Sequence, residues 1–311
     1  MVSIVELSNW GEVFLNKELI KIMEYADERN VLLFAHNGVN LNDVEEEVLE
    51  ALVKHRFRGM TCSIDGASQE AYSGYRVRGR FQRVIENIKI INAFKARYHS
   101  RFPLMAWQFV AFGHNEHEIG KAKRMAKELD MEFSVKLSWE DLYTESFSPV
   151  KDLGLIRKET GLGAGNRHEF RQKYGEEHTR KCCLDLWSSP QINYDGRVLG
   201  CSVNYWDDYG NAFKDGLESC LNSDKINYAR EMLMGRAESK KGIPCTPCRI
   251  YQSMKENRTW LKNRDIWEGH AGSRVLLLFD NSLLGHSSAR HMEKWFQTLR
   301  RRLRRRDFSE P

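Results

Sequence analysis

Two short stretches carry most of the side chains able to do chemistry. "KCCLDLWSSPQINYDGRVLGC", residues 181 to 201, holds three cysteines around an Asp-Gly turn signal, and "PCTPC" at 244 to 248 adds two more. The chain has seven cysteines in all. In a reducing compartment clustered thiols read as metal ligands or catalytic groups before they read as disulfides. Asp195-Gly196 predicts a two-residue hairpin turn that holds Cys201 at a fixed distance from Cys183, and Cys245 and Cys248 form a CxxC. By spacing alone these four residues suit tetrahedral zinc or an iron–sulfur cluster. Cys182 and Cys220 are then spare thiols, and Cys62 sits in an apolar run as core.

The elements that must position these groups follow from periodicity. At 311 residues the chain can bury a large core and a smaller one. Apolar runs at "SIVELSN", "VLLFAHNG", "GMTCSIDG", "PLMAWQFVAF" and "MEFSVKL" read as strands, and the stretches between them carry apolar residues at helical spacing. Five strands alternating with helices predict parallel βα units, with ligands at the C-terminal strand ends.

The unusual residues fall at those ends: "NWGE" at 9–12, "HNG" at 36–38, "SIDG" at 63–66 with "YR" at 75–76, and "GHNEHE" at 113–118. In that order, over about residues 3–137, they resemble the radical S-adenosylmethionine (radical SAM) barrel, with its Gly-Glu, Asn-Gly and Ser-x-Asp-Gly motifs. The resemblance implies cofactor-binding roles for Gly11, Glu12, Asn37, Ser63, Asp65, Arg76 and Gln108. Glu12 would accept from the α-ammonium of S-adenosylmethionine, Ser63 would reach the ribose or carboxylate, and Arg76 would clamp the carboxylate with paired donors. Asn115 is expected as a helix cap. Val13 stands where a proline often follows Gly-Glu, and His36 where a threonine usually precedes Asn-Gly.

The cysteine stretches resemble the SPASM/twitch domain found after such barrels, including "CLDLW" at 183–187 and "DGRV". That resemblance implies one auxiliary 4Fe-4S cluster on Cys183, Cys201, Cys245 and Cys248, with Cys183 preferred to Cys182 for its spacing to Trp187. Four thiolates leave no open iron, so such a cluster would pass electrons and not bind substrate. The fold class expected is thus α/β: a partial (βα)6 radical SAM barrel missing its first βα unit, then a small SPASM/twitch domain with a β-hairpin and helix. Boundaries are expected at 1–140 for the barrel, 141–180 for a connector, 181–262 for the cluster domain and 263–311 for an extension ending in a basic amphipathic helix.

The family's reductive chemistry needs a CxxxCxxC trio on the first barrel strand's loop, and this sequence contains none. The resemblance therefore implies a second 4Fe-4S cluster on a leading segment of on the order of 30 to 50 residues absent from this sequence. Truncation is the expectation, because a barrel without its first strand bares an edge. With that segment the chain would be an oxidoreductase or maturase that generates a 5′-deoxyadenosyl radical. It would oxidise or modify a peptide or protein side chain, or an aminocyclitol or sugar, and take electrons from a flavodoxin or ferredoxin. The competing class is a non-catalytic, metal-stapled scaffold.

The net charge of +5 rests on the six arginines of 300–306, without which it is 5 − 6 = −1. An isolated arginine run is a weak signal: it reads first as the solvated or packing face of a helix, second as a contact with an acidic partner or nucleic acid, and does not decide function. No apolar run approaches the roughly 18 residues that cross a bilayer, and the start lacks an export leader, so a cytoplasmic location is expected.

Overall fold

The computed structural model describes residues 4–138 and 147–267. The basic C-terminal stretch, the "RVLLLFD" run and part of the connector lie outside the described residues. The chain divides into two compact units, residues 1–178 and 179–311.

The first unit is built on one parallel sheet of five strands in chain order: β1 (Ile4–Glu6), β2 (Leu32–Val39), β3 (Gly59–Ser63), β4 (Leu104–Ala111) and β5 (Glu132–Leu137). Every expected strand is present. They are joined by α1 (Leu19–Glu28), α2 (Glu46–Lys54), α3 (Gln69–Tyr75), α4 (Phe81–Arg97) and α5 (Ile119–Glu128). Sequential parallel pairing follows from each helix crossing back over the sheet to start the next strand.

The register separates two faces. Val5, Leu33, Ala35, Met60, Cys62, Met105, Trp107, Phe109, Phe133, Val135 and Leu137 share one face and join the main apolar core with residues of the helices. The core side of α2 supplies Leu49, Leu52 and Val53, and Glu46 and Glu47 in its first turn with Lys54 in its last suit the helix dipole. The other sheet face carries Glu6, Thr61, Ser63, Gln108, Ser134 and Lys136. One face is apolar and covered; the other mixes these polar side chains with Phe34, Ala106 and Val110.

Residues 141–180 contribute, where described, two helices to the first unit: α6 (Leu153–Thr160), which packs on β5, and α7 (Arg167–Tyr174). Ile156 of α6 belongs to the main core, and Arg167 Nε donates to Ser138 O.

The second unit is mostly short helices: α8 (Asp185–Ser188), α9 (Ala212–Asp215), α10 (Leu217–Leu221), α11 (Asp224–Leu233) and α12 (Arg249–Asn257). A 3-10 turn at Arg180–Leu184 precedes them. The hairpin forms, but its turn is not the two-residue Asp-Gly expected. Gly196 N–H donates to Asn193 O at 2.9 Å, Asn193 N–H donates to Arg197 O at 2.8 Å, and single antiparallel bridges join Ile192 to Val198 and Arg197 to Asn211. Gly196 takes the left-handed position at φ +84°, so the loop is one residue longer, with the glycine closing it.

Candidate functional site

At the C-terminal ends of β1 to β4 the polar residues tie neighbouring strand loops together. Glu6 closes β1, and its carboxylate accepts from Ser8 N, Ser8 Oγ and His36 N. Ser8 Oγ in turn accepts from Asn37 N, and Asn37 Nδ2 donates to Asn9 Oδ1. None of these ties involving Glu6 was anticipated, although a glutamate ending an apolar strand is itself a signal.

Gly11 lies in the left-handed region at φ +92° with open space beside it. Glu12 does not present a free carboxylate. One oxygen caps the 3-10 turn Val13–Leu15 by accepting from Phe14 N at 3.3 Å, and the other accepts from Asn40 N at 2.8 Å. Burial pushes its pKa up, opposed by those N–H groups and by the charge of Arg76.

Ser63 and Gln108 are paired in register on the polar face, and both are buried. A Cβ on Gly38 (φ +123°) would overlap Ser63 Oγ and lie 3.9 Å from Gln108 Nε2. The glycine of the Asn-Gly therefore lets the β2 backbone lie against β3. Gln108 Oε1 is buried with no hydrogen-bond partner among the described residues, although Gln108 is only 5% exposed. Such a carbonyl awaits a donor.

Asp65 is fully buried. Its two oxygens accept from Val110 N at 2.7 Å and from Arg76 Nε at 2.7 Å. Burial raises its pKa, and Arg76 opposes the rise. Arg76 therefore spends one donor inside the protein, unlike the cofactor clamp expected for it. Gly66 follows Asp65 where a Cβ would lie 2.8 Å from Tyr72 Cα, so α3 packs directly on the turn. Asn115 stands at the N-cap position of the 3-10 turn Glu116–Glu118, as expected, but its side chain makes no cap bond to that turn. Its amide donates to Asp65 O and Val110 O, and its carbonyl accepts from Phe112 N, all within a fully buried side chain.

In the second unit, Cys183, Cys201, Cys245 and Cys248 line one cavity of about 20 Å³, joined by Cys182. Leu186, Val203, Leu233 and Ile250 supply apolar wall. Cys220 is elsewhere, against Gly210 and Asp215. The backbone N–H groups of Val203 and Asn204 near Cys201, and of Ile250 and Tyr251 near Cys248, the N-cap of α12, favour the thiolates against burial. Burial pushes Cys245 up to about 12 and raises Cys201 and Cys248. A hydrogen bond with Cys182, and then burial, raises Cys183. The Tyr209 hydroxyl lies 3.4 Å from Cys245 Sγ, held by pairing of Tyr209 N with Val198 O and by Gly200, whose Cβ would meet the ring at 2.5 Å. Cys182 and Tyr209 are the residues the spacing did not single out.

Among the described residues no three His, Cys, Asp or Glu side chains are placed to hold one metal ion. The thiols border a space and do not converge on a point. All-sulfur donors, apolar walls and backbone N–H groups near sulfur are the chemistry an iron–sulfur cluster requires.

No protein-family model and no curated protein matches the sequence. Solved structures do. The crystal structure of Streptococcus suis SuiB bound to S-adenosylmethionine aligns with TM-score 0.53 at 17% identity, over 78% of this chain and 59% of that one. A second structure of Streptococcus suis SuiB aligns with TM-score 0.53 at 15% identity, over 77% of this chain and 59% of that one. The chain thus spans about 59% of the length of the SuiB chain. Among the described residues no helix is long and apolar enough to cross a membrane. At these identities the likeness is one of fold: the chain shares with the SuiB structures an α/β architecture built on a parallel five-stranded sheet.

Proposed function

We propose that the polar face of the first unit binds S-adenosylmethionine and that the thiol cavity of the second unit holds an auxiliary 4Fe-4S cluster, in a radical SAM oxidoreductase or maturase. The observation that carries the reading is the unpartnered Gln108 Oε1, buried beside Ser63 and Gly38 at the strand ends where such folds bind ligands. The likeness to SuiB, a structure with S-adenosylmethionine bound, supports the same cofactor here.

When bound and given an electron, S-adenosylmethionine would supply radical chemistry by reductive cleavage of a C–S bond, with methionine as the co-product. The chain's own residues orient and shield. Gln108 Oε1 accepts a donor from the ligand, Ser63 Oγ offers a hydroxyl next to it, and the remaining guanidinium donors of Arg76 serve an anionic group. Gly38 keeps the β2 backbone close. Glu12 acts through the β2 loop it holds at Asn40.

Cys201, Cys245, Cys248 and one of the Cys182–Cys183 pair would hold the auxiliary cluster, which would accept an electron without binding substrate. The substrate class is a peptide or protein side chain, or an aminocyclitol or sugar. A flavodoxin or ferredoxin is the electron donor, and the protein works in the cytoplasm.

Two measurements test this. Equilibrium dialysis with S-adenosylmethionine should show saturable binding that Gln108→Ala weakens, and no binding would remove the first half of the proposal. Anaerobic reconstitution should give about four irons and four sulfides per chain, whereas one zinc and no iron would remove the second. This chain alone is expected to form no 5′-deoxyadenosine from S-adenosylmethionine and dithionite. The engagement of Glu12 by Phe14 and Asn40 favours one other reading, a non-catalytic metal-stapled scaffold. Dialysis separates the two.

A further inference from the structure

Five thiols line the cavity of the second unit, and a cube of four irons takes one thiolate per iron. Three of the five have their own anchorage. Cys248 is the N-cap residue of α12, Cys245 lies against the Tyr209 hydroxyl, and Cys201 follows Gly200, which packs on the Tyr209 ring. The choice of a fourth donor therefore lies within one adjacent pair.

Cys182 and Cys183 occupy the same 3-10 turn, Arg180–Leu184. Side chains of successive residues on such a turn diverge by about a third of a revolution, yet both border the cavity. Cys183 is buried, and Cys182 is partly exposed. We propose that Cys182 and Cys183 are interchangeable as the fourth cluster ligand, one bonding iron while the other donates its S–H to the bound sulfur.

This inference rests on the cluster reading above and adds to it that the site tolerates loss of either member of the pair. The adjacency supplies the reason: both side chains of the turn already border the cavity. Among the described residues no cavity-lining thiol is directly adjacent in sequence to Cys201, Cys245 or Cys248, and Cys220 does not line the cavity. An exchange of this kind leaves the protein with a complete donor set when the more exposed thiol is alkylated or oxidised.

The test uses the full chain with Cys182→Ala, Cys183→Ala, both together, and Cys201→Ala, each reconstituted anaerobically with ferrous iron and sulfide. Iron per chain and the rate of iron loss to a chelator are read. Each single variant of the pair should match the unsubstituted chain, while the double variant and Cys201→Ala should lose iron about tenfold faster. If Cys183→Ala alone is as labile as the double variant, Cys183 is the sole donor and the proposal fails. The same result for Cys182→Ala alone assigns Cys182 and equally overturns it. A double variant as stable as the unsubstituted chain removes both from the ligand set. A double serine variant repeats the comparison with side chains closer in shape, and equal lability in the two doubles ascribes the loss to the missing thiols. An unsubstituted chain that takes up no iron and sulfide overturns the cluster reading itself, an outcome distinct from each of the others.

Discussion

Arg76 Nε donates to Asp65 Oδ2 at 2.7 Å across 11 residues of chain, and the carboxylate it meets is fully buried while the arginine remains 28% exposed. The pair fixes the turn after β3 to the end of α3, because the other Asp65 oxygen is held by Val110 N of β4. The turn after β3, the end of α3 and β4 are thereby locked around one carboxylate.

Arg76→Met leaves that carboxylate buried with only its backbone donor. The expected cost is on the order of 2 kcal/mol, below the figure for a fully buried pair because Arg76 is partly solvated. Urea unfolding should show this as a lower midpoint with unchanged slope. A loss under about 0.5 kcal/mol would mean that the pair behaves as a surface ion pair.

Two glycines with positive φ should respond differently to alanine. At Gly11 the added methyl meets open space, so only backbone strain counts, about 1 kcal/mol. At Gly38 it also overlaps Ser63 Oγ, so the cost should be larger and binding of S-adenosylmethionine should weaken. Thermal unfolding and dialysis on both variants check this, and equal losses would sink the close-approach argument.

Glu12 has a carboxyl pKa raised by burial, so the folded chain holds its proton more tightly than the unfolded chain does. Its contribution to stability is fully present below the unfolded value of 4.5 and declines as pH rises through the higher folded value. The stability of the unsubstituted chain relative to Glu12→Gln should therefore fall as pH increases from 4.5 and then level off. A difference that grows with pH would contradict the assignment.

Cys62 is pushed up to about 12 by burial on the helix-covered face of β3. Since the thiolate is the reactive form, Cys62 should be among the last cysteines alkylated by iodoacetamide at pH 8 in native, metal-free protein. Peptide mass spectrometry reads the order, and early modification of Cys62 would show that the sheet opens there.

Tyr209→Phe removes the hydroxyl that lies against Cys245 Sγ without emptying the ring's place beside Gly200. Reconstituted iron content should be unchanged. The midpoint potential should move to a more negative value, because a hydrogen bond to a ligating sulfur favours the reduced cluster. An unchanged potential would place the hydroxyl outside the cluster's electrostatic reach.

Strand and helix order were legible because the two periodicities are local: alternate residues of β3 and β4 decide which face is dry, and a short apolar window contains that information. The burial of Cys62 and the position of Gln108 on the opposite face follow from the same alternation. The thiol inventory was equally legible, since residue types and spacings need no fold to be counted.

Side-chain partners were not legible. Glu12 is 28 residues from the Asn40 N–H it holds, Asn115 is 50 from the Asp65 carbonyl, and Cys245 is 36 from the Tyr209 hydroxyl. A spacing in sequence does not fix a distance in space once helices and loops intervene. By itself the sequence determined that this chain alternates strands with helices and carries enough thiols in two clusters for a metal centre. Only the tertiary structure decided that Glu12 and Arg76 are already engaged inside the protein, that Gln108 is left with an unanswered acceptor, and that Cys182 shares the cavity of the other four. Those outcomes depend on which surfaces meet when apolar faces are buried, and that is a property of the whole packed unit.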